Sequence, residues 1–161
     1  MRTTVERLSA QELGAWRAFL RAHSHINRKL EAELVAEHDL PLASYDVLIQ
    51  LAESEGRRLR MTELADRVLL SRSGLTRLVD RLERDGLVER VACASDARGM
   101  HAVLTEAGME RLRCAAPTHL RGIAEHVTSR LTPEELDQLK SLMLKLGDGS
   151  ADPGGCGEGL R

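Results

Sequence analysis

Aromatic residues are almost missing from this 161-residue chain, which holds one Trp, one Tyr and one Phe. Its core must therefore be mostly aliphatic. Cysteine is scarce as well. Cys93, Cys114 and Cys156 are odd in number and widely spaced, which excludes a disulfide framework and a CxxC metal pair. Cys93 and Cys114 read as small packing residues. No long apolar run occurs, which excludes a membrane-spanning helix. The segment "MRTTVERLSAQELG" lacks the apolar stretch of a secretory signal, so a cytoplasmic protein is expected. The formal charge is only -2, so the molecule is no polycation, and any attraction to nucleic acid must be local. Gly-rich phosphate loop, nucleophile elbow and paired carboxylates in a cleft are all missing, and no enzyme is expected. His23 with His25, and Cys114 with His119, supply too few convergent ligands for a metal, so neither metal nor cofactor is expected.

What is present is helical period. Ser9-Ala10-Gln11-Glu12 is a capping box, and Leu13, Trp16, Leu20, Leu30 and Leu34 continue an apolar stripe widened by Phe19 and Ile26. This helix, over 10–38, is too long to bury itself in one small domain and is expected to meet another chain. Pro41 closes it, because the residue before proline leaves helical geometry. A second helix is expected from Ala43 to Glu53, without an ideal cap because Leu42 stands where Ser or Thr would. "EGRRLRM" reads as a turn with a very short strand, and Thr62 as the cap of a short helix.

The stretch "LSRSGLTRLVDRLERDGLVERV", Leu70 to Val91, is the most informative. Leu75, Leu78, Val79 and Leu82 fall at i, i+3, i+4 and i+7, one helix face, while Ser73, Thr76, Arg77 and Asp80 make the opposite face. Gly86 is placed to end this helix in a left-handed cap, with Leu87 as its apolar contact. Leu87–Cys93 and His101–Thr105 alternate as two strands around a polar tip. After Thr105 the helical period returns, and Pro117 is expected to kink or split that run. Thr132-Pro133-Glu134-Glu135 opens a last helix, with Leu131 and Leu136 as a hydrophobic staple. The Gly-rich remainder is expected to be disordered.

Helix, turn, helix, strand, loop, strand is a winged helix-turn-helix. The expected fold is mainly α with a small β-hairpin wing. A single unit over 1–146 holds a DNA-binding lobe at 42–104, with 147–161 as the tail. In such a fold the second helix enters the major groove. The leucine face docks on the lobe, leaving Arg72, Ser73, Thr76 and Arg77 for double-stranded DNA, with Thr62 and Ser71 beside them. Arg98, at the wing tip, is suited to the minor groove. From Arg57 to Arg98 there are ten Lys/Arg against seven Asp/Glu, or +3, and the remainder has thirteen against eighteen, or -5. Arg81, Arg84 and Arg90 each have an acidic neighbour and are expected to pair with it.

"MTELADRVLLSRSGLTRLVDRLERDGLVER" followed by "SDARGMHAVLTEAG" resembles the MarR family of winged-helix transcriptional regulators. The resemblance runs over roughly residues 10 to 146. Its most telling part is Asp96-Ala97-Arg98 followed by Leu104-Thr105 and Gly108. It implies a homodimer joined through a helical arm, with the dimerisation helices at 10–38 and 105–146, a pseudo-palindromic operator, and commonly repression. It makes the helix starting near Ser71 the recognition helix and Arg98 the wing arginine. It also implies a small aromatic or phenolic effector, for which Trp16, His23 and Tyr45 are the candidates beside a bland reading as core and polar residues. Peroxide sensing through a first-helix cysteine is not supported, since no cysteine lies there. The competing reading is a winged-helix interaction module that binds no DNA.

Overall fold

The computed structural model describes residues 7–68, 70–94 and 96–147, with the backbone alone at 96–98. Helix α1 (Ala10–His38) leads to α2 (Leu42–Glu53), strand β1 (Arg58–Arg60), α3 (Met61–Arg67), α4 (Arg72–Arg84), β2 (Val88–Cys93), β3 (Asp96–Leu104), α5 (Glu106–His126) and α6 (Pro133–Leu146). This is a mainly helical winged helix-turn-helix. The three strands form one antiparallel sheet in the order β1-β3-β2, with Leu59 and Arg90 both opposite Ala102.

Local chemistry starts and stops most elements. Ser9 Oγ accepts from the Glu12 amide while Glu12 returns a carboxylate to the Ser9 amide, and Thr132 with Glu135 repeats the device at α6. At the end of α4, Gly86 has φ +72°. The Gly86 amide donates to Glu83 O and the Leu87 amide to Leu82 O, the paired bonds of a left-handed cap. Thr105 Oγ1 then donates to Gly86 O, and Gly108 lies so close to the Leu87 carbonyl that a side chain there would collide with it. These contacts fasten α5 to the end of α4.

Several expectations need correction. Helix α2 begins at Leu42, one residue early, and its cap comes from a distance: Glu31 Oε2 of α1 accepts the Leu42 amide at 2.5 Å. Thr62 does not cap α3. The helix begins at Met61 with Arg60 at its cap and no side-chain hydrogen bond there, because β1 runs straight into it and pairing of Arg60 with His101 already orders the backbone. Pro117 does not split α5, which continues to His126 and breaks only at Val127. Proline removes one hydrogen bond on an exposed face, while buried Ala115, Ala116, Thr118 and His119 hold the helix on both sides. Cys114 is exposed rather than packed, whereas Cys93 is buried. The tail beyond Gly147, with Cys156, lies outside the described residues.

The core is aliphatic, with Tyr45 its one described aromatic. Leu34, Leu48, Leu51, Leu64, Leu75, Leu82 and Leu112 are all essentially fully buried. They come from α1, α2, α3, α4 and α5, so the lobe packs around the end of α1 and the start of α5. Elsewhere α1 is bare: of its 29 residues only Leu30 and Leu34 are buried. No helix among the described residues is long and apolar enough to cross a membrane.

Candidate nucleic-acid interface

The recognition surface follows from the two faces of α4. Leu75, Leu78, Val79 and Leu82 are buried, which turns the other side outward. Ser71, Arg72, Ser73, Thr76 and Arg77 are all exposed, as is Thr62 in the first turn of α3. Ser71 Oγ accepts the Gly74 amide at 3.1 Å and lies 3.3 Å from Ser73 Oγ. This cap fixes the helix start and aims its free amides outward. Thr76 Oγ1 donates to Arg72 O at 2.8 Å, so the threonine keeps acceptor capacity for a partner. Among the described residues neither Arg72 nor Arg77 has a carboxylate partner. Two guanidinium groups thus remain free for phosphate or for guanine edges.

Arg90 has a different task. It reaches from β2 to α4 with its side chain 19 % exposed, placing Nη1 2.7 Å from Glu83 Oε2 and Nη2 2.7 Å from Asp80 Oδ1. Nη2 also donates to the Thr76 carbonyl at 3.2 Å, and the Arg90 amide donates to Glu83 Oε1. Burial opposes its charge, but the hydrogen bonds and charges of Asp80 and Glu83 outweigh that and push the guanidinium further up. The result is a pin between recognition helix and wing that also offsets the acids on the outer face of α4. Arg84, by contrast, donates to the Asp80 carbonyl rather than to a carboxylate. Sequence spacing foresaw that Arg90 would pair, but not that it would bridge two elements.

A cleft of about 500 Å³ runs between α3, α4 and the wing, lined by Arg60, Met61, Thr62, Thr76, Asp80, Arg90, Gly99 and Met100. It brings Thr62 and Thr76 to one groove. Arg98 precedes Gly99 on β3; its side chain lies outside the described residues.

The effector candidates fall into two groups. Tyr45 is 2 % exposed and its ring lies 4.3 Å from that of His119, whose pKa burial lowers. Trp16 and His23 sit on the exposed half of α1, each beside Phe19, and His23 bonds Asn27 at 3.1 Å. Sequence reading also missed the seam between α1 and α5. There Glu37 meets Thr118 and Arg121, His38 meets Thr118, and Glu33 meets His126. These partners are 80 to 93 residues apart in sequence, and no local signal connects them.

Comparison with known proteins agrees with this geometry. A family model described as MarR family matches residues 38–99. The HTH-type regulator YkoM of Bacillus subtilis is 31 % identical over 135 residues, spanning 84 % of this chain and 85 % of that protein. The transcriptional repressor MprA of Escherichia coli is 32 % identical over 120 residues, 74 % of this chain and 65 % of its own length. Sco3205 of Streptomyces coelicolor, a MarR family transcriptional regulator solved in complex with DNA, superposes with a TM-score of 0.86 and is 38 % identical, covering 94 % of this chain and 95 % of its own. With its exposed recognition face, its hairpin wing and this degree of likeness, the chain belongs to the MarR family of transcriptional regulators.

Proposed function

We propose that the protein is a homodimeric, sequence-specific regulator that grips a pseudo-palindromic operator with two copies of α4. One observation carries this: α4 buries its apolar face and leaves Ser73, Thr76 and Arg77 exposed, with Arg77 unpaired among the described residues. That Sco3205 was solved with DNA supports the same use of the fold here. In this reading Arg72, Ser73, Thr76 and Arg77 enter the major groove, Thr62 and Ser71 meet the backbone, and Arg98 enters the minor groove. Residues 42–104 act as the DNA-binding lobe.

The second half of the proposal concerns assembly. Trp16, Leu20, Leu139, Leu142 and Leu146 are exposed at 55, 44, 37, 54 and 72 %. An apolar surface on that scale fits an interface. Helices over 10–38 and 105–146 then form the twofold arm, and the arm sets the spacing of the two α4 helices at about one turn of DNA, roughly 10 bp. Repression fits MprA, which is a named repressor. Release by a small aromatic or phenolic effector requires that the ligand bind one arm geometry better than another.

The test is fluorescence anisotropy on duplexes from the region upstream of the protein's own gene, across a salt titration. Arg77→Ala is expected to weaken binding by about 1–3 kcal/mol per site and to lower the salt slope by about one for each phosphate no longer neutralised. Unchanged affinity and slope would remove α4 from the interface.

A further inference from the structure

The seam between α1 and α5 holds two carboxylates of α1 one turn apart, and the protein treats them differently. Glu37 accepts from Thr118 Oγ1 at 2.8 Å and is paired with the Arg121 guanidinium. Among the described residues Glu33 has no such cation. Its described partner is His126, the last residue of α5, whose Nε2 lies 2.5 Å from Glu33 Oε1. The side chain of His126 is only 6 % exposed and that of Glu33 27 %. Two atoms of this pair, Glu33 Oε2 and His126 Nδ1, are buried without a hydrogen-bond partner. A buried carboxylate oxygen left without a donor is costly.

A third group completes the cluster. Glu125, exposed beside His126, brings its carboxylate so near that one ligand atom from each of the three residues lies within 4.8 Å of the others. Among the described residues no Lys or Arg pairs with the carboxylate of Glu125 or Glu33, although Arg130 Nε donates to the Glu125 backbone carbonyl at 3.0 Å. Gly122, one turn earlier on α5, makes the room: a Cβ there would stand 2.6 Å from Glu33 Oε2.

We propose that Glu33, Glu125 and His126 form a binding site for a divalent first-row cation of the zinc class. Two carboxylates carry the charge that one such ion balances, and an imidazole with carboxylate oxygens is a donor set suited to zinc and its neighbours. Magnesium and calcium favour oxygen ligands alone. Three protein ligands leave a position for water. The ion replaces the hydrogen bond between His126 Nε2 and Glu33 Oε1, so the two atoms part by about 1 Å to reach bonds of about 2 Å each. The ion also gives the Glu33 carboxylate a cation, which it otherwise lacks among the described residues, and ties α1 to the last turn of α5. That turn lies immediately before the break at Val127, so the ion fixes the point from which α6 departs. None of this depends on DNA binding.

The experiment titrates the full-length, thiol-reduced chain with Co²⁺ by absorption and with Zn²⁺ in competition with a chromogenic chelator. One ion per chain is expected, with a Co²⁺ spectrum free of thiolate charge transfer, since nitrogen and oxygen are the donors. Glu125→Gln removes an exposed ligand and leaves the fold intact by circular dichroism; it should weaken binding roughly tenfold or more. His126→Gln should abolish it. No ion bound, equal affinity in the folded Glu125→Gln variant, or a thiolate band that survives His126→Gln would each overturn the proposal. Should His126→Gln fail to fold, Glu125→Gln still decides.

Discussion

Helices α4 and α6 are 13 and 14 residues long, each with a leucine stripe, and the protein uses them in opposite ways. The stripe of α4 is buried to the last residue, and the polar side is left over. In α6 nothing is buried, and Leu142, Leu144 and Leu146 stay exposed at 54, 42 and 72 %. Amphipathic period alone is thus silent on which face a helix offers to a partner. Packing decides it. A free polar face rich in guanidinium suits a polyanion, whereas a free apolar face suits another apolar surface.

The contrast can be broken by putting the same charge into both stripes. Leu75→Asp places an unpaired carboxylate in the core of the lobe, where Leu75 is 1 % exposed. It should cost more than about 4 kcal/mol and abolish cooperative unfolding by circular dichroism. Leu142→Asp should leave the melting of the lobe in place and convert dimer to monomer in sedimentation. Operator affinity should then drop by roughly 10²-fold or more as bivalent binding is lost. A Leu142→Asp protein as unfolded as Leu75→Asp would mean that α6 belongs to the same core as α4.

A smaller effect probes the junction between lobe and arm. Asp46, on α2, is pushed up to about 6, by burial first and then by the charge of Glu31 on α1. The folded chain therefore holds this proton more tightly than the unfolded chain, whose carboxyl titrates near the ordinary 3.8. The stability it lends is full below about pH 4, declines as pH rises through about 6, and is gone above that. Asp46→Asn should be more stable than the parent at pH 7 by about 2 kcal/mol, with the gain vanishing toward pH 4. Denaturant titrations at pH 4, 5, 6 and 7 measure it. Two curves that stay parallel with pH would mean that Glu31 and the lobe do not meet in solution as they do here.

The comparison of α4 with α6 also marks what could be read without coordinates. Signals acting over three or four residues were legible: the boxes at Ser9 and Thr132, the Gly86 stop and the two faces of α4. The alternation in Leu87–Cys93 and His101–Thr105 gave the wing, and the likeness to a family then supplied the arm. Illegible were effects carried by distant partners. Leu42 looked uncapped because its acceptor, Glu31, lies on the preceding helix. Thr62 looked like a cap because the strand that already orders Arg60 pairs some forty residues downstream. Pro117 looked disruptive because its own missing donor is visible in sequence, whereas the packing that holds both halves of α5 is not. Glu33 and His126 share a site that only the crossing of α1 and α5 creates.

The mildest test concerns the polar face of α4 itself. If Arg90 pins the wing to that face, Arg90→Gln removes both ion pairs, with Asp80 and Glu83, together with the bond from Nη2 to the Thr76 carbonyl, while keeping part of the apolar stem. The partners are half exposed, at 52 and 41 %, so the loss in stability should be only about 1 kcal/mol. The electrostatic consequence is larger in kind than in size. Asp80 and Glu83 are left uncompensated on the helix that meets phosphate, so DNA affinity should fall along with stability, and more so at low salt. Raising the salt to about 1 M should bring variant and parent together in stability, because the Debye length there is about 3 Å. If the stability gap persisted at high salt, Arg90 would be holding the wing through packing of its stem rather than through charge, and the outer face of α4 would owe its potential to the exposed arginines of α4 itself.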